Sequence, residues 1–323
     1  MTHLTNDGGW IDAHVHPPTK EFLLDAGGPQ VAAAAKKFGR GLELKTIEGM
    51  LEEYTDCGVE KLVLFAWDAE TASHRPRVPN EFVARIADKF PDRIIGFASV
   101  DPHKRSSVHD LECAVNDLKL RGLKLHPQAQ AFEPNDRTYY PLYAKCVELD
   151  IPVTFHTGST YWGAGLEGGG GLKLRFSNPI LLDDVAADFP ALKLIMAHPG
   201  WPWQDEQLAV AMHKENAFID LSGWSPKYFQ PLLVTYMTKM IPHKFLFGTD
   251  YSMLSPSRWL QDFETLPVSA DVRRMILREN ATKLLRLCHS ATFGAIGRGA
   301  STMMRKVGLA LLVVVALNAL EDN

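Results

Sequence analysis

Eight short runs of apolar, β-favouring residues recur along this 323-residue chain, separated by stretches with helical spacing. The runs are Trp10–His16, Lys61–Asp68, Ile94–Asp101, Gly122–His126, Pro152–Gly158, Lys193–Pro199, Ala217–Gly223 and Lys244–Asp250. Several are nearly continuous in apolar residues, the pattern of strands covered on both faces in a parallel sheet. Among the intervening stretches, Thr46–Cys57 puts Ile47, Met50, Leu51 and Tyr54 on one helical face. Gly58 supplies a C-cap. Glu81–Phe90, Val108–Leu118, Tyr140–Leu149, Pro179–Phe189, Gln204–Lys214, Pro226–Met240 and Ala270–Leu287 have the same character. Strands and helices in strict alternation predict an α/β fold, the (β/α)8 or TIM barrel, with a doubly wound open sheet as the other arrangement of the same parts.

Two connections are long for such a barrel, His16 to Lys45 and Gly158 to Phe176. Both follow strand C-terminal ends, so both are expected to be loops or lids at the active-site face. The barrel accounts for residues 1–287. The remaining 288–323 turn Gly/Ser/Thr-rich, then basic at Arg298, Arg305 and Lys306, then apolar over Val307–Leu320. That last run is shorter than the roughly 17–25 residues of a spanning helix. It predicts a short helix packed on the barrel or in a homo-oligomer interface, with a membrane-associated tail or a non-native extension without function as the alternatives.

Hydrophobic residues at 46% and charged residues at 22% describe a globular protein, not a disordered one. A net charge of −4 without a long basic run speaks against a nucleic-acid partner. Cys57, Cys113, Cys146 and Cys288 are scattered and form no CxxC, which excludes a zinc ribbon and a thioredoxin-type site and suits a reducing cytoplasm. Met1–Trp10 is polar and lacks the apolar core of a signal peptide. The expected location is cytoplasmic and the expected partner a small-molecule substrate.

Chemistry concentrates where the histidines fall. His14, His16, His126, His156 and His198 all end predicted strands, and Asp250 ends the eighth. In a barrel these ends converge on one mouth. His14 and His16 share a strand face, His156 joins from the fifth strand and Asp250 from the eighth. Three neutral imidazoles and a carboxylate make a site for zinc or another divalent first-row metal.

The set DAHVHP, GLKLHP, FHTG, AHPG and FGTD resembles the amidohydrolase superfamily over about Ile11 to Leu287. More narrowly it resembles the amidohydrolase-related branch that includes aminocarboxymuconate-semialdehyde decarboxylase. That resemblance implies one divalent metal, zinc first, on His14, His16, His156 and Asp250, with His198 and Asp250 as catalytic groups. A second metal is also open, since Lys124 stands where two-metal members carry a carboxylated lysine. Otherwise Lys124 would bind a substrate carboxylate or carbonyl, and His126 would stand at the rim or touch substrate. Trp67, Tyr161, Trp162, Trp201, Trp203, Trp224 and Tyr251 follow strand ends, and Trp162 and Trp201 are taken as substrate-binding. Arg75 and Arg258 are carboxylate-binding candidates weighed against solvated surface charges. Gly163–Gly168 fits GxGxxG but does not join a strand to a helix, so it predicts a flexible lid and no dinucleotide. The expected activity is a metal-dependent hydrolase whose activated water attacks a carbonyl. The alternatives are a non-oxidative decarboxylase and a non-catalytic binding barrel.

Overall fold

A computed structural model describes residues 9–39 and 41–287. The expected Val307–Leu320 helix lies outside the described residues. Eight strands are present: β1 Trp10–Val15, β2 Val59–Phe65, β3 Ile94–Phe97, β4 Leu123–Leu125, β5 Val153–His156, β6 Leu194–Ala197, β7 Ala217–Asp220 and β8 Phe245–Leu246. Consecutive strands pair in parallel from β1 to β3 and from β4 to β8. Two single bridges close the ring, Ala98 with Leu123 between β3 and β4, and Val15 with Tyr251 between β1 and the chain after β8. The Ala13 amide also donates to the Phe247 carbonyl at 2.8 Å, and the Asp250 amide to the His14 carbonyl at 2.9 Å. The open-sheet alternative is thereby excluded, and the fold is a TIM barrel.

The barrel interior is filled by Ile11, Ala13, Val63, Phe65, Ile95, Phe97, Ile195 and Leu246, and Ala281, Leu284 and Leu285 pack against them. A second, larger cluster lies between the strands and the helices around them. β1 changes phase halfway. Asp12 pairs with Leu62 and Val15 with Leu64, so three steps on β1 match two on β2. This bulge lets Ile11 and Ala13 fill the barrel while His14 and His16 also reach its mouth. Asp12 faces the other way and becomes the fastening between β1 and β8. Its carboxylate accepts from the Thr249 hydroxyl at 2.6 Å, the Thr249 amide at 3.1 Å, the Tyr54 hydroxyl at 3.0 Å and the His14 amide at 2.9 Å. Burial lifts the Asp12 pKa to about 7, although these hydrogen bonds oppose the rise.

Three helical details depart from the sequence expectation. The connection after β1 is not a loop: it carries helical segments Glu21–Ala26 and Gly28–Lys37. Phe22, Leu23, Ala26, Val31, Ala34 and Ala35 are buried there, and Pro29 starts the second segment. The pair Gly27–Gly28 hid this pattern. Pro256–Phe263, capped by Ser255, is an additional helix that buries Trp259 and Phe263. The expected helix Pro226–Met240 breaks, because Gln230 before Pro231 is held extended at ψ 149°. Among the described residues no helix is long and apolar enough to cross a membrane.

The Asp12 fastening is open to test. Thr249→Val keeps shape but removes the hydroxyl that donates to Asp12. It should lower the unfolding free energy by about 1–3 kcal/mol, the cost of leaving a buried polar group short of a partner. Urea denaturation should show a lower midpoint with an unchanged slope.

Candidate metal centre and active site

His14, His16 and Asp250 each bring a ligand atom to within 4.8 Å of the others. Asp250 Oδ1 lies 3.5 Å from His14 Nε2 and 3.6 Å from His16 Nε2. The local backbone is arranged for this. Asp250 and His198 both adopt left-handed conformations, at φ 60° and 71°. Such strain in non-glycine residues concentrates at functional sites, where the surrounding structure enforces it. Here it turns the chain directly after β6 and a few residues beyond β8.

Each imidazole has a defined partner. Asp220, at the end of β7, lies 2.5 Å from His14 Nδ1. Nδ1–H donates to this carboxylate, which leaves the His14 Nε2 lone pair aimed at Asp250 and the centre. A carboxylate behind a ligating histidine fixes both ring and tautomer. His198 Nδ1 lies 3.1 Å from the Ser222 carbonyl and 2.9 Å from the Ser222 hydroxyl. A carbonyl only accepts, so His198 Nδ1 carries hydrogen and its Nε2 accepts. His198 Nε2 is 3.0 Å from His156 Nδ1, which must then be the donor. The consequence is a bare lone pair on His156 Nε2, an atom that is buried and has no hydrogen-bond partner. His156 does not join the group of three converging ligands as it stands; its ring stacks on His126 at 3.9 Å. His126 caps a short helix, its Nδ1 accepting from the Ala129 amide at 3.2 Å, and its Nε2 faces the Thr160 hydroxyl at 3.3 Å.

Burial sets the protonation states. It pushes the pKa values of His14, His16, His126 and His156 well below the usual imidazole value, and the neighbouring Lys124 and imidazole charges add to the fall. His198 falls to about 4 for the same first reason, with Lys124 adding. All five are therefore neutral near pH 7, the state in which imidazole binds metals. Lys124 is itself brought down to about 8 by burial, against the pull of Asp250 and Asp220. Its Nζ sits 3.3 Å from His14 Nε2 and 5.0 Å from the centre of the Phe65 ring.

These groups line one shared cavity. Its polar side carries the five histidines, Lys124 and Asp250; Phe22, Leu23, Val31, Trp67 and Trp162 add an apolar side. Trp67 and Trp162 stack at 4.4 Å, and Phe22 lies parallel to His16 at 4.3 Å. The structure thus brings together His14, His16, Asp250, His156, His198, Lys124, His126 and Trp162. Trp201 is different: it is 48% exposed and does not line the cavity, because the turn after β6 carries it to the surface. Arg258 pairs with Asp262 on its own helix at 2.7 Å. Asp220 and Ser222 were not singled out from sequence. The available signal was that Asp220 ends β7 as Asp250 follows β8.

A TIM barrel with a histidine-rich, metal-competent mouth defines a class of metal-dependent enzymes. The sequence profile of the amidohydrolase family matches residues 11–287, and the chain belongs to that family. Among curated proteins, a 2-keto-4-carboxy-3-hexenedioate hydratase from a Sphingobium species is 32% identical over 141 residues. That stretch is 38% of this chain and only 39% of the hydratase. Among solved structures, an uncharacterized TIM-barrel protein from Bordetella bronchiseptica is 27% identical with a TM-score of 0.73, covering 86% of this chain and 98% of its own. A dihydroxybenzoic acid decarboxylase from a Polaromonas species, solved with manganese and 2-nitroresorcinol, shares the fold at 20% identity and a TM-score of 0.63, covering 87% and 97%.

Asp220→Asn tests the support of His14. The amide is a weaker acceptor and removes the charge behind the ring. Affinity for a divalent cation should fall about 10–100-fold, the usual loss on removing such a partner. Titration calorimetry on folded, metal-stripped protein measures it. Gly223→Ala tests the other arm. Gly223 has φ 74°, and an added Cβ would lie 2.7 Å from His198 Nδ1. The His198–Ser222 contact should be lost and turnover with it, while thermal unfolding shows the barrel intact.

Proposed function

We propose that the chain is a metal-dependent carboxy-lyase that releases CO₂ from a small planar carboxylic acid. The pairing of one buried cation with an aromatic wall carries this reading. Lys124, 1% exposed, shares the cavity with stacked Trp67 and Trp162. A flat, conjugated acid satisfies both.

The donor set fits a divalent cation. His14, His16 and Asp250 would hold it, with His156 joining through its bare Nε2, and zinc is the metal that an imidazole-rich set favours. When bound, the cation would offset negative charge that builds on substrate oxygens. Lys124, still protonated at pH 7 with a pKa of about 8, binds a substrate oxygen. Phe22, Leu23 and Val31 keep water from the carboxylate that leaves. The carbon–carbon bond breaks, CO₂ departs, and the electron pair left on the carbon takes a proton. Asp250 takes up a proton from solvent before the bond breaks, delivers it to that carbon and returns to the carboxylate. His198, neutral and fixed by Ser222, orients His156 in this scheme.

Hydrolysis, the activity expected from the sequence, would draw on the polar side of the same cavity and asks nothing of the stacked Trp67 and Trp162. Hydration is the second reading, favoured by the partial likeness to the hydratase. It would add water across the conjugated double bond of an unsaturated keto acid.

Metal-loaded protein should release CO₂ from a phenolic acid such as 2,6-dihydroxybenzoate or 5-carboxyvanillate, the compounds named for two neighbours of the same fold. In D₂O the product should carry one deuterium on the carbon that lost the carboxylate. Asp250→Asn should cut turnover by ~10²–10⁴-fold, the scale of a general acid. Incorporation of ¹⁸O from water without CO₂ would move the assignment to hydrolysis or hydration.

A further inference from the structure

We propose that Arg75 is a positioning residue that latches the helical cover over the active-site cavity and so places Phe22 on His16. The cover is the pair of segments Glu21–Ala26 and Gly28–Lys37. It supplies Phe22, Leu23 and Val31 to the cavity. Where one segment ends and the next begins, the carbonyls of Leu24, Asp25 and Ala26 are left for an outside donor, as at any helix end. Arg75 fills that role from the connection after β2. Its Nε donates to Asp25 O at 2.9 Å and Ala26 O at 3.1 Å, and its Nη2 to Leu24 O at 2.9 Å and Asp25 O at 2.6 Å. A guanidinium presents these donors in one rigid plane, which an ammonium does not.

Two further observations tie the latch to the site. Gly28 has φ 47°, and an added Cβ would lie 2.1 Å from Arg75 Cζ, so the cover's backbone is moulded to the guanidinium. The latched segment ends in the Phe22–His16 stack, at 4.3 Å and an interplanar angle of 2°. The far end of the cover rests on the glycine-rich connection after β5. There Gly165 packs against Ala33 and Lys37, and Phe38 stacks on Tyr161 at 5.3 Å. With Nε and Nη2 committed to carbonyls and the residue outside the cavity lining, Arg75 serves the cover and not a substrate carboxylate.

Hydrogen exchange read by mass spectrometry on the full chain tests the latch without any substrate. In Arg75→Ala the amides of residues 21–37 should exchange at least ~10-fold faster, the scale of losing one charge-assisted hydrogen bond. Those of β1 to β8 should not change. Arg75→Lys should restore part of the protection. Gly28→Ala, which displaces the guanidinium but keeps it, should reproduce the Arg75→Ala pattern. Gly39→Ala is the control: its φ is 64°, but an added Cβ there meets nothing within 4 Å, so the cover should stay protected. Unchanged exchange over 21–37 in Arg75→Ala overturns the proposal. So does an equal rise over all strands, or loss of protection in Gly39→Ala as large as in Gly28→Ala. A kinetic arm rests on the carboxy-lyase reading: Arg75→Ala should raise KM severalfold more than it lowers kcat. CO₂ release absent from the unmodified protein fails that reading alone and leaves the exchange result standing.

Discussion

The seam between β1 and β8 carries the whole site, and the Asp12 carboxylate holds that seam. Of the three converging groups, His14 lies on β1 and His16 directly after it; the third, Asp250, follows β8. Their separation is therefore set by how the two edges of the sheet meet. Four hydrogen bonds converge on Asp12 from β1 itself, from the chain after β8 and from Tyr54 on the first barrel helix. One buried group thus links closure of the barrel to the convergence of His14, His16 and Asp250. Its raised pKa means the seam is fastened by a group that gains its proton near neutrality.

Around that centre, burial does most of the electrostatic work. Five imidazoles crowd one mouth, and each disfavours a charge on the next. Desolvation removes the charge from all of them, so hydrogen-bond direction and not charge organises the rings. Asp220 directs His14. Ser222 directs His198, which directs His156. The charge that remains is concentrated in Lys124 and the carboxylates, so the cavity holds a single ammonium among neutral rings.

Much of this was legible in the chain. The eight apolar runs each became a strand or its immediate extension, because a parallel barrel strand is covered on both sides and needs no alternation. His14, His16 and Asp250 were legible because strand ends share one rim. What stayed hidden depended on contacts distant in sequence. Asp220 reaches His14 across 206 positions, and Thr249 reaches Asp12 across 237. No local pattern marks such partners. The cover after β1 was hidden for a local reason, the glycine pair that separates its two short helical segments. Trp201 was misplaced because sitting after a strand end does not decide whether a ring turns inward or out.

The bulge in β1 gives that strand two reading frames. Upstream, odd-numbered residues face the barrel axis; downstream, the even-numbered histidines do. The six-residue strand and the residue after it therefore carry both a packed plug and the histidine pair without spending length on a second element. The two frames are joined by a single added residue, so the chemistry of the strand is tied to its count. Removing one residue between Asp12 and His14 would leave the hydrophobic lettering of β1 almost unchanged. It would also restore uniform alternation, which puts Ile11, His14 and His16 in one frame but takes Ala13 from the barrel filling and draws both histidines back by one position against β2.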